Sequence, residues 1–80
     1  MIKYDKFFAL LKEKNIKTTE IRRLKIVSEA TLQKMRHNET GLSYDSLNRL
    51  CAFLECQPAD IMEYCEDEKT AAWLDAVRQQ

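Results

Sequence analysis

An all-α fold is what this sequence predicts, and three features predict it. Apolar residues recur at i, i+3, i+4 and i+7 in separate windows, first Tyr4, Phe7, Phe8 and Leu11, then Leu47, Leu50, Cys51 and Leu54. Small hydroxyl or carboxylate residues stand in front of several such windows, where their oxygens can accept from the unpaired amides of a helix's first turn. The 80 residues include one Gly and one Pro, with 45% hydrophobic and 32% charged side chains, which suits one compact helical unit and excludes a disordered tail or a sheet sandwich.

Residues 4–14 form the first helix, with Lys3, Lys6, Lys12 and Lys14 on its polar side. Asn15 tolerates the left-handed conformation that closes a helix. Residues 16–36 then read as two short helices joined by a tight turn, a helix-turn-helix. Ile21 and Leu24 make the apolar stripe of the first, Leu32 and Met35 that of the second, and Val27 fills the corner. Thr18 is expected to cap the first helix and Ser28 the second. Outward on the second remain Glu29, Ala30, Thr31, Gln33, Lys34 and Arg36, the surface that such motifs lay in a DNA major groove.

A polar segment from His37 through Thr40 ends in the only glycine, Gly41, and turns the chain. Ser43 caps a helix that runs to about Glu55. Pro58 suits the first turn of a fifth helix with Ile61, Tyr64 and Cys65 on its inward face. Asp67 and Glu68 open a sixth helix with Trp73, Ala76 and Val77 along one side. An isolated helix of this length is marginal in water, so that side docks on its own domain or on a second copy, as a homodimer. The expected division is residues 1–66 as the helix-turn-helix domain, with its motif at about 18–36, and 67–80 as a helical extension.

Lys and Arg balance Asp and Glu at 13 each, but residues 1–50 carry +5 and residues 51–80 carry −5. A basic half can neutralise phosphates while the acidic half faces away; the same count also fits charges that merely solvate helix surfaces. Cys51, Cys56 and Cys65 have neither the spacing of a zinc ribbon nor that of a CxxC pair, and read as free thiols of a reducing, cytoplasmic protein without metal or cofactor. No apolar run approaches the roughly 18 residues of a membrane span, and the first residues lack a small-residue cleavage site.

IKTTEIRRLKIVSEATLQKMRHNE followed by SYDSLNRLCAFLECQPADIMEY resembles the phage-repressor-like (Cro and lambda repressor, Xre) helix-turn-helix family of bacteria and phages. Leu50, Cys51, Leu54, Cys56, Gln57, Pro58, Asp60, Ile61, Glu63 and Tyr64 carry a narrower resemblance to a subgroup of small bacterial transcriptional regulators. The resemblance covers about residues 4–65 and implies a five-helix lambda-repressor-like DNA-binding domain, here with an additional C-terminal helix. By position it implies base reading by Glu29, Ala30, Gln33 and Lys34, and backbone contacts from Thr18, Thr19, Ser28, Thr31, Arg36, His37 and Asn38. Gln33 can pair bidentately with adenine, and Lys34 can donate to guanine. Glu29 can accept from cytosine N4, or it can simply stabilise its own helix N-terminus.

Two positions depart from the family pattern. Arg22 stands where alanine is usual and must reach outward along its stem. Ile26 stands where the turn glycine is usual, and a β-branched residue resists a left-handed backbone, so the turn is expected to differ. The expected function is repressor-type, sequence-specific binding of double-stranded DNA, with no small-molecule effector. The alternative is an antitoxin-like protein-interaction module of the same fold that does not read DNA. Catalysis is not expected: His37 is the only histidine, no glycine-rich phosphate loop exists, and residues 51–68 are too acidic to stabilise a thiolate.

Overall fold

The computed structural model describes residues 1–39 and 41–80. Strand β1 (Ile2–Lys3) leads into α1 (Asp5–Glu13), α2 (Thr18–Arg23), α3 (Glu29–Arg36) and α4 (Tyr44–Leu54). A 3₁₀ turn (Pro58–Asp60), strand β2 (Glu63–Tyr64) and α5 (Glu68–Arg78) complete the chain. Tyr4, Phe7, Leu11, Ile21, Ile26, Val27, Leu32, Met35, Leu50, Leu54 and Ile61 form one buried core. Every helix except α5 contributes to it, so the core fixes α2 and α3 against α1 and α4.

Each of the first four helices ends on a left-handed residue that is not glycine: Asn15, Lys25, Asn38 and Glu55, with φ from 53 to 58°. In each case the next residue's N–H donates back to the carbonyl five residues earlier: Ile16 to Leu11 (2.8 Å), Ile26 to Ile21 (3.1 Å), Glu39 to Lys34 (2.9 Å) and Cys56 to Cys51 (3.1 Å). This is a Schellman closure. In three of the four, the residue after the left-handed one is apolar (Ile16, Ile26, Cys56) and turns back onto the core. The glycine ends none of these helices.

The turn of the motif therefore differs from the expected one by a single residue. Lys25, not Ile26, takes the left-handed conformation, and Ile26 is free to bury its side chain. Leu24 is corrected too: it follows the last residue of a helix only six residues long and is half exposed, while Ile26 and Val27 supply the apolar surface expected of it. Thr18 is not the cap of α2. It is the helix's first residue, and Lys17 occupies the cap position without a side-chain bond.

Beyond α4 the expected fifth helix contracts to the 3₁₀ turn. Gln57 N–H donates to Asp60 Oδ2 (2.9 Å), and the chain then extends to pair β2 with β1, antiparallel, Ile2 opposite Tyr64 and Lys3 opposite Glu63. Of the three residues expected to face inward, Ile61 is buried and Cys65 half-buried, but Tyr64 is exposed. Lys6 of α1 fastens this segment through the Ala59 carbonyl (3.3 Å) and Glu63 (3.8 Å). The Met1 ammonium donates to the Cys65 carbonyl (2.6 Å) and to Asp67 Oδ1 (2.9 Å) at the start of α5. Helix α5 itself buries no residue completely, and the molecule is elongated at 47 × 22 × 20 Å.

Two outcomes test this architecture. Lys25→Gly, which relieves a left-handed side chain, raises stability by up to about 1 kcal/mol, whereas Ile26→Ala costs about 2 kcal/mol or more in thermal unfolding. The Thr70 side chain and the Met1 ammonium hold the Asp67 carboxyl below its usual value. A depressed carboxyl adds stability above its unfolded value and loses it as pH falls through the folded one. Hydrogen-exchange protection at the Cys65 amide, which donates to the Met1 carbonyl at 2.8 Å, therefore falls before that of the core amides below about pH 4.

Candidate nucleic-acid interface

Helix α3 is fixed at both ends. Ser28 is extended, and its hydroxyl accepts from the Thr31 N–H (3.2 Å) while bonding the Thr31 hydroxyl (3.0 Å). At the far end Asn38 is left-handed and half-buried, and its Oδ1 accepts from the Tyr4 N–H at 2.9 Å. Leu32 and Met35 anchor the helix in the core with at most 1% exposure. Glu29, Ala30, Gln33, Lys34 and Arg36 all lie exposed on the other side.

The exposed surface is ordered by its own contacts. Arg22 of α2 reaches outward and bonds Glu29 Oε2 through Nη1 (3.3 Å), and Gln33 Nε2 donates to Glu29 Oε1 (2.9 Å). The carboxylate that would repel phosphate is thus paired with a guanidinium. Lys34 stands in solvent beside this network, and Ala30 adds a small apolar patch to the helix's first turn.

A second surface adjoins the motif. An open cleft of about 340 Å³ between the end of α1, the start of α2 and the end of α3 is lined by Lys12, Asn15, Lys17, Thr18 and Arg36 with Phe8, Leu11 and Ile16. It unites Thr18 and Arg36, which the sequence reading chose for phosphate contact, with Lys12 and Lys17, which that reading left unassigned. The signal for Lys17 was its place immediately before α2. The Arg36 guanidinium lies 4.7 Å from the centre of the Phe8 ring, a cation–π contact that holds it at this cleft. Thr19 and His37 are exposed outside it. Ser28 and Asn38 already hold structural hydrogen bonds, and Thr40 lies outside the described residues.

The rest of the surface differs in character. A groove of about 400 Å³ on α4 and the 3₁₀ turn includes Tyr44, Leu47, Cys51, Cys56 and Pro58. Burial first, and then neighbouring Cys51, push the Cys56 thiol up, so it stays protonated at neutral pH. Among the described residues no helix is long and apolar enough to cross a membrane. On α5, Trp73 is 62% and Val77 43% exposed, with Ala76 exposed between them.

Residues 8–67 match the model of the Cro/C1-type HTH DNA-binding domain. The HTH-type transcriptional regulator YozG of Bacillus subtilis (strain 168) is 31% identical over 62 residues, covering 76% of this chain and 74% of that protein. The crystal structure of the transcriptional regulator VanUg superposes with a TM-score of 0.71 at 29% identity, over 82% of this chain and 87% of that one. Sequence, motif geometry and overall shape agree, and the chain belongs to the Cro/C1-type helix-turn-helix DNA-binding family.

Proposed function

We propose that this protein is a sequence-specific transcriptional regulator of repressor type, which excludes competing proteins by occupying double-stranded DNA. The observation that carries the reading is α3: a helix locked by two buried residues and a cap, with Glu29, Ala30, Gln33 and Lys34 left to a major groove. Lys12, Lys17, Thr18 and Arg36 meet the flanking phosphate backbone from their cleft, with Thr19, Ser28, Thr31, His37 and Asn38 as further backbone contacts. Phosphate contacts of this kind supply affinity, and base edges supply preference. Pairing of Glu29 with Arg22 at 3.3 Å lessens the repulsion between that carboxylate and phosphate, which supports DNA binding over a protein-only role. Two copies joined through Trp73, Ala76 and Val77 would present two such helices to half-sites spaced by about 34 Å, one helical turn.

Selection from a randomised duplex pool, followed by titration at several salt concentrations, tests the reading. The parent protein enriches a defined sequence, and its affinity falls as salt rises. Gln33→Ala and Lys34→Ala each cost about 1 to 3 kcal/mol on that sequence, and Lys17→Ala weakens all sequences alike and lowers the salt slope by about 1. Equal binding to every duplex, with no salt dependence, defeats the proposal.

Light scattering tests the assembly. The parent runs at twice the chain mass and Trp73→Ala at the chain mass; two monomers remove α5 as the interface.

A further inference from the structure

We infer that Glu29 is a positioning residue rather than a base reader: clamped by Arg22, it locks the Gln33 amide in the orientation that selects adenine over guanine. The inference rests on α3 being the DNA-reading helix, as proposed above.

A primary amide has two N–H donors and one acceptor oxygen, and a free glutamine can swing to present either end. An ionised carboxylate can only accept, so a glutamine bonded to it must turn its nitrogen toward it. At 2.9 Å the Gln33 Nε2 to Glu29 Oε1 bond commits one N–H of the amide. One N–H and the carbonyl oxygen remain, a fork of one donor and one acceptor. Adenine offers the matching edge, an N7 acceptor beside an N6 donor, whereas guanine offers two acceptors, N7 and O6. A guanine opposite this fork meets the glutamine oxygen with its own O6.

Arg22 supplies the other half of the device. Its guanidinium donates to Glu29 Oε2 at 3.3 Å, which holds the other carboxylate oxygen, Oε1, turned toward Gln33. Arg22 and Glu29 are each about half exposed, so in free solution the pair is worth little and is not there for stability. In a groove emptied of water the same charge-assisted bonds strengthen, and the amide orientation becomes costly to reverse. The network bridges α2 and α3, so a residue of the supporting helix sets what the reading helix accepts.

Duplex selection with the parent, Gln33→Ala, Glu29→Gln, Arg22→Ala and Arg22→Lys tests this, with competition titrations on the selected sequence. The parent selects adenine at one position per site, and Gln33→Ala identifies that position by erasing its preference. In Glu29→Gln, whose side chain can both donate and accept, the adenine-over-guanine preference there falls about five-fold or more while the other positions keep theirs. Arg22→Ala moves the same position in the same direction, and Arg22→Lys retains most of the parental preference. Guanine preferred by the parent at the Gln33 position, or an adenine preference that Glu29→Gln leaves intact, overturns the inference alone. A parent that selects no sequence overturns the DNA-reading function with it.

Discussion

The reversal of the chain at Lys25 is the constraint on which the rest depends. With that residue left-handed, the Ile26 N–H closes onto Ile21 and the Ile26 side chain is driven into the core next to Val27. Two consecutive apolar residues at a corner can both be buried only when the backbone turns sharply just before them. Arg49 of α4 adds a long contact to the Ile26 carbonyl at 3.5 Å, so the same corner also locates α4. The angle between α2 and α3, and with it the presentation of Glu29 to Lys34, follows from this corner. A lysine is tolerated at such a backbone because the 1 to 2 kcal/mol cost of the left-handed region is offset by two closing hydrogen bonds and a buried isoleucine.

Arg22 illustrates how a departure from the family pattern is absorbed. A guanidinium facing α3 could not be buried unpaired, and it is not: the side chain leaves the interior and meets Glu29 on the surface. The close approach of the two helices is then carried by Ile21, Val27 and Leu32, all within 3% exposure. What the core gives up at position 22 becomes a polar link on the outer surface of the motif, and the two unusual residues, Arg22 and Glu29, account for each other.

Helices α1, α3 and α4 were legible because each repeats its apolar residues at helical spacing and is announced by Ser28 or Ser43, or closed by Asn15; α2, six residues long with Ile21 alone buried, is too short to show such a repeat. The exposed surface of α3 followed from the same periodicity. Local backbone choices were not legible from side-chain type. Lys25 has no propensity for the left-handed region, and only the apolar residue after it, as in the Asn15–Ile16 pair, marks the closure. Strands of two residues are too short to show an alternation, and the sheet joins segments 60 residues apart, so β1 and β2 left no trace. The Arg22–Glu29–Gln33 network crosses two helices and needs their angle before it can be seen. The cleft holding Lys12 and Lys17 needs the packing of three.

Helix α3 divides its labour cleanly, and this has an evolutionary consequence. Leu32 and Met35 and the Ser28 cap supply its stability, while Glu29, Ala30, Gln33 and Lys34 lie exposed. The ion pairs at the surface, Lys6 with Glu63 and Arg22 with Glu29, are exposed and contribute little to folding. Substitutions on that outer surface therefore stay within about 0.5 kcal/mol of the parental stability. A scaffold built this way can change the outward surface of α3 without first acquiring a compensating change in its core. Ile26 and Val27 have no such freedom, because moving either moves every outward side chain of α3 together.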